Sequence, residues 1–295
     1  MIEKFRYKFK HQASLLAINT LNLIQFDYIK YILGPARSHH VHSFFPTMLG
    51  YSALLEGNML IEFTHGLFIA ILYYLVCATG ALVLRHFFTI PKEVYRKTLH
   101  MIMLGSIFVW TYAFQTWWIA ALSTLLFIAA VYPVLLLAER FVPGYSDLLT
   151  ERKAGEVKTS LVVAFAMFAI LITACWGILG ERYLVIASVL AWGLGDAAAA
   201  LVGKRFGRHH VEGKMIEGKK SLEGTFAMFI VSFASVLVVL LVKGSVPWFG
   251  YIPVAVLTAA ACAAVELFTK NGMDTITCPL AAASVLIPLI YLLGV

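Results

Sequence analysis

Asp196 stands inside an apolar stretch, Tyr183–Val202, and the residues after it suit phosphate chemistry. The run reads Gly193-Leu194-Gly195-Asp196, then Gly203-Lys204-Arg205-Phe206-Gly207-Arg208, then Glu217-Gly218-Lys219-Lys220-Ser221-Leu222-Glu223-Gly224-Thr225. A carboxylate within an apolar membrane helix costs roughly 2.5 kcal/mol or more, so it needs a partner or a watery cavity. A metal ion is the partner that would give such a group a use; a hydrogen bond between packed helices is the plainer alternative. Glycines let a backbone approach a ligand closely, and free N–H groups with cationic side chains suit phosphate oxygens. Lys219-Lys220-Ser221 leads directly into the next apolar block, which puts a helix N-terminus and its positive dipole end beside the same basic turn. Ser221 suits the cap position, with Glu223 and Thr225 in the first turn. The spacing is not that of a Walker loop.

Other clusters are expected on the same side. Arg96, Lys97 and His100 open one apolar block, and Arg96 and His100, four apart, share a helix face. Arg152, Lys153, Glu156 and Lys158 lead into another. Each cluster alone reads more often as snorkelling charge than as catalysis. Glu266 closes the seventh block and Asp274 precedes the eighth. With Asp196 they make three acids at one interface, enough to hold Mg²⁺ if phosphate oxygens complete the coordination.

The elements that must position these groups are membrane helices. Hydrophobic residues make up 61% of the 295 and charged residues 13%, against about 25% charged in a soluble domain. Eight blocks approach the roughly 20 residues a bilayer requires: Gly66–Leu84, Leu99–Phe114, Trp117–Ala138, Leu161–Leu179, Tyr183–Val202, Leu222–Val242, Phe249–Val265 and Ile276–Leu293. The fold class is therefore all-α, a polytopic transmembrane bundle of about eight spans. A basic N-terminal region over residues 1–64 precedes a transmembrane catalytic domain over residues 65–295. Cys77, Cys175, Cys262 and Cys278 lie within the apolar blocks with no metal-ligand or disulfide spacing.

The net charge of +7 is uneven. Arg85, Lys92, Arg96 and Lys97 follow the first block. Arg140, Arg152, Lys153 and Lys158 follow the third, and Lys204, Arg205, Arg208, Lys214, Lys219 and Lys220 follow the fifth. With Lys270 these make fifteen, against Arg182 and Lys243 in the alternate loops. The positive-inside rule places the basic loops in the cytoplasm. Eight spans then put the N-terminus outside, although Lys4, Arg6, Lys8, Lys10, Lys30 and Arg37 prefer the inside. A ninth crossing within Ser43–Ile61, or an interfacial helix over Ala13–Leu33, would resolve the conflict. His39, His40 and His42 are read as a solvated loop before a metal site. No basic domain interleaved with aromatics is present, so a nucleic-acid partner is not expected.

Asp196 with Gly203–Arg208 and Lys220-Ser221-Leu222-Glu223-Gly224 closely resembles the dolichol kinase and phytol kinase family, which includes CTP-dependent diacylglycerol kinases. Arg96-Lys97-x-x-His100, Ala154-Gly155-Glu156-Val157-Lys158 and Gly272-Met273-Asp274 before Pro279 are similar to its other marks. The resemblance covers about residues 92–295. It implies transfer of a nucleotide γ-phosphate, often from CTP and with Mg²⁺, to the hydroxyl of a membrane lipid. The family usually has Asp-Asn where this chain has Asp274-Thr275. The loop also resembles phosphatidate cytidylyltransferases, but their Gly-His-Gly-Gly stretch closing on paired aspartates is missing.

On this reading Lys204, Arg205, Gly207, Arg208, Lys219, Ser221, Glu223 and Gly224 cradle the triphosphate, with Arg96, Lys97 and Lys158 nearby. Asp196, Lys220 and His100 carry the chemistry, Asp196 or His100 accepting the lipid proton. Asp196, Glu266 and Asp274 hold Mg²⁺. The lipid alcohol (polyprenol, phytol or diacylglycerol type) enters from the bilayer between the fifth and sixth spans. Cytidylyl transfer to phosphatidate is the competing enzyme, a transporter or scaffold the competing class, and a homodimer an open alternative.

Overall fold

The computed structural model describes residues 44–151, 155–211, 220–244, 246–269 and 272–293, with side chains from Gly57 onward. Two compact units divide at Ile61 and Glu62. The first contributes, among the described residues, the start of helix α1; the second holds the bundle and the site.

The helices are α1 (Phe44–Phe87), α2 (Lys92–Tyr112), α3 (Trp117–Phe141), the short α4 (Tyr145–Leu148), α5 (Glu156–Leu171), α6 (Arg182–Phe206), α7 (Leu222–Lys243), α8 (Tyr251–Phe268) and α9 (Asp274–Leu292). A π-helical stretch, Ile172–Ile178, extends α5. The stretch expected as a ninth crossing is helical from Phe44 within α1, so it and the first apolar block are one element. Ala13–Leu33 and the three histidines lie outside the described residues.

Seven of the described helices are long and apolar enough to span a bilayer. The remaining block, Leu99–Phe114, coincides largely with α2, whose charged opening (Lys92, Glu93, Arg96, Lys97) keeps it out of that set. Helix α2 still belongs to the bundle: Ile107 and Trp110 are completely buried. Around Trp110, Phe127, Phe165 and Tyr74 pack at ring separations of 5.1–6.1 Å, near the 4.5–7 Å that aromatic pairs favour.

Helix α6 is the central element. It is the most buried of the seven spans and α1 the least. Helices α2, α7 and α9 pack around α6, with α8 bridging α7 and α9. At the end remote from the basic loops, Glu62 accepts from Gln115 N, Thr116 N and Thr116 Oγ1 at 2.8–2.9 Å, satisfying free amides at the start of α3. Arg182 donates to the last carbonyls of α2 at Thr111 (3.2 Å) and to Gln115 (3.0 Å). Glu62 and Arg182 thus serve there as helix caps. The chemistry-bearing residues gather at the other end.

Candidate functional site

Helix α6 reaches Phe206, so Gly203–Phe206, expected as a loop, is its last turn. Gly195, Ala199, Gly203 and Gly207 recur every four residues and make one smooth ridge against α7. A Cβ on Gly195 would come within 2.6 Å of Ser232 Oγ and Met228 Sδ, and one on Gly207 within 2.8 Å of Ser221 Oγ. At Gly224 an added Cβ would meet the Ala199 carbonyl oxygen at 3.0 Å and Gly203 Cα at 3.4 Å. These glycines therefore serve helix contact as well as any ligand. The same contact brings the fifth and sixth spans close together beside the cavity, where the lipid was expected to enter.

After α6 the chain turns back through an antiparallel bridge between His210 and Ser221. Val211 N donates to Lys220 O and Leu222 N to His209 O, each at 2.9 Å. Ser221 takes the expected cap position, its hydroxyl accepting from Gly224 N at 3.2 Å. The residues between 211 and 220, Lys219 among them, lie outside the described residues.

Asp196 has a partner, and it is a side chain. Lys97 Nζ lies 2.6 Å from Asp196 Oδ2 and 3.5 Å from its carbonyl oxygen. The two side chains are 11% and 18% exposed; at that burial, removing one partner alone costs about 3–5 kcal/mol. His100, one turn along α2 from Arg96, brings Nε2 to 3.8 Å from the same oxygen. Its ring stands edge-on to Trp192 at 5.0 Å, and Nε2 is buried without a hydrogen-bond partner. Of the two partners expected for the buried acid, a metal ion or a hydrogen bond between packed helices, the second is present, supplied by a lysine 99 residues away in sequence that sequence reasoning had not paired with it.

Asp196 forms part of the wall of a cavity of about 500 Å³ at the basic end of α6. Of the residues named from the sequence, Lys204, Gly207, Lys220, Ser221, Gly224 and Glu266 share that wall, and Glu93 and His210 join them. Lys220 bonds Glu266 Oε1 at 3.0 Å, the Glu266 carbonyl, and the Thr269 carbonyl at 3.2 Å. A lysine so placed caps α8, a cation at a helix C-terminus, and fixes the start of α7 to α8. Glu93 pairs with Arg96 and, at 3.6 Å, with Lys204; Arg96 continues to Glu156 at 3.4 Å. This chain of charges ties the openings of α2 and α5 to the close of α6.

Asp274 does not line the cavity, yet it lies within electrostatic reach of Asp196, Lys97, Lys220 and Glu266. Among the described residues, no three of His, Cys, Asp and Glu are close enough to hold a metal ion by themselves. Several expected phosphate contacts are not brought to the wall. Arg205 lies over the Phe206 ring at 5.3 Å, Arg208 is exposed, and Glu223 bonds His209 Nδ1 at 2.7 Å. Lys158 pairs with Glu139 beside a second, smaller hollow around α4.

A curated phytol kinase of Synechocystis sp. is 32% identical to this chain over 205 residues, 65% of this chain and 78% of the relative. The chain belongs to the phytol and dolichol kinase family. No family model matches the chain. No solved structure matches it.

Family membership changes the weight of what the residues alone left open. Clusters that read separately as snorkelling charge meet here: the Arg96-Lys97-x-x-His100 group touches Asp196, and Glu156 meets Arg96. Glu93, like His210, is a wall residue that sequence reasoning missed. Its three-residue spacing from Arg96 was the available signal.

Proposed function

We propose that the protein is a membrane lipid kinase that transfers the γ-phosphate of CTP to the hydroxyl of a membrane lipid alcohol of the polyprenol or phytol type. The observation that carries the reading is the cavity itself. One wall joins a membrane-buried carboxylate, a helix N-terminus and two lysines, in a chain whose relative is named a phytol kinase. Phosphoryl transfer needs positioning and charge neutralisation more than covalent help, and the wall offers both.

Lys204 and the positive dipole end at the start of α7 would receive the phosphates, with Lys220 alongside. Asp196 and Glu266 on the wall, with Asp274 behind, are hard oxygen donors that suit Mg²⁺. Too few converge for an all-protein cage, so phosphate oxygens would complete the coordination, as Mg²⁺ prefers. The ion would supply neutralisation of the β- and γ-phosphate charge. Of the two candidate acceptors for the lipid proton, Asp196 faces the cavity and His100 stands behind it. The lipid hydroxyl would reach the cavity from the bilayer beside α6 and α7, whose facing residues Ala199, Gly203 and Gly224 also line it. The basic loops at this end favour a cytoplasmic reaction by the positive-inside rule.

Purified protein given labelled CTP, ATP and UTP with a panel of lipid alcohols tests this reading. Phosphorylated lipid with CDP as co-product supports it. Pyrophosphate with a CDP-lipid would instead identify a cytidylyltransferase, and no lipid product with any nucleotide would refute the kinase.

A further inference from the structure

The carboxylate proposed above as a metal ligand is already held by a protein cation. Lys97 Nζ sits 2.6 Å from Asp196 Oδ2, with both side chains largely buried. In such low-dielectric surroundings an ammonium and a divalent ion drawn to one carboxylate repel each other strongly. The backbone beside Lys97 is anchored, because the adjacent Arg96 is fixed between Glu93 and Glu156. The ammonium hangs from that anchor on a four-carbon stem of rotatable bonds, within largely buried surroundings. The carboxylate opens onto the cavity that also holds Lys204 and Lys220, so a displaced ammonium has phosphate oxygens within its new surroundings only when a triphosphate is bound there.

We propose that Lys97 is an exchangeable counter-ion, which yields its Asp196 oxygen to the divalent cation delivered with the triphosphate and then turns to the phosphates. The inference rests on the kinase reading. It gives the site an order of events. A divalent ion arriving alone would leave a buried ammonium unpaired, which is costly, so the ion binds weakly by itself. A metal–triphosphate supplies both the replacement cation and the new partner, so metal and nucleotide bind together. Lys97 thus acts through Asp196, as a positioning residue.

The test uses the purified full-length protein in detergent and follows its thermal midpoint against Mg²⁺ alone and against Mg²⁺ with a non-hydrolysable CTP analogue. In the wild type, Mg²⁺ alone gives little shift and the two together give a large one. In Lys97→Met and Lys97→Gln, Mg²⁺ alone stabilises the protein, with an apparent affinity at least about tenfold tighter than in the wild type. Adding Asp196→Asn to either variant abolishes that response. A merely structural lysine would lower the midpoint in both variants without creating a response to Mg²⁺, and that result overturns the inference. So does a response that survives Asp196→Asn, or wild-type protein that binds Mg²⁺ alone as well as with nucleotide. Should Lys97→Met not fold, Lys97→Gln, which keeps a donor for the carboxylate, and the wild-type comparison each decide the question. Wild-type protein that phosphorylates lipid while failing these tests loses only the counter-ion exchange; protein that phosphorylates no lipid loses the kinase reading itself.

Discussion

Gly224→Ala should cost activity more than stability. The added Cβ would meet Ala199 O at 3.0 Å, Ser221 Oγ at 3.3 Å and Gly203 Cα at 3.4 Å. Two of these three atoms are backbone of α6 and have no rotamer to escape into. The start of α7 must therefore move away from α6 by a few tenths of an ångström. Overpacking of this kind costs about 1–3 kcal/mol. The displaced turn also carries Lys220 and Ser221, which share the cavity wall with Asp196. Misplacing reacting groups by about 1 Å can cost about a hundredfold in rate, so a smaller shift predicts a loss of roughly tenfold or more. Gly195→Ala is the harsher comparison: its Cβ would come within 2.6 Å of Met228 Sδ and of Ser232 Oγ, both buried, and the serine is held on Ala191 O at 2.7 Å. Gly80→Ala, with nothing within 4 Å, is the neutral control and gains helix propensity of up to about 1 kcal/mol. The assay pairs the initial rate of phosphate transfer to lipid with the thermal midpoint in detergent. Wild-type rate and midpoint in Gly224→Ala would refute the argument that this seam sets the site.

Other outcomes follow from the ion pairs. Lys220→Met leaves Glu266, 13% exposed, without its partner and should lower stability by about 3 kcal/mol; adding Glu266→Gln should restore the thermal midpoint but not nucleotide affinity. Lys158→Met should shift the nucleotide KM by less than about twofold, since Lys158 is engaged by Glu139 away from the cavity wall; a large KM change would return it to the phosphate site. Ser221→Ala removes the cap on Gly224 N and should cost about 1 kcal/mol of stability, read as a lower midpoint.

The membrane bundle was legible because a bilayer imposes a length and a composition on every helix it holds. Helix α2 shows where that legibility stops. Its four opening charges weaken it as a span by composition, yet two of them reach the site's acids: Lys97 meets Asp196, and Arg96 meets Glu93 and Glu156. Local spacing revealed Ser221 as a cap and placed Arg96 and His100 on one face, because both are matters of a single turn. It did not reveal Lys97 as the partner of Asp196, a pairing that depends on how two distant helices pack. The glycines were read as making room for phosphate. The structure adds the other reason for a missing Cβ, a neighbouring helix, and the sequence does not separate the two.

The most direct test compares wild-type protein with Asp196→Asn, each purified from membranes, in the transfer of γ-labelled CTP phosphate to a lipid alcohol with Mg²⁺. The account predicts that the wild type labels the lipid, while the variant inserts in the membrane and transfers no phosphate. Normal turnover by Asp196→Asn would contradict it.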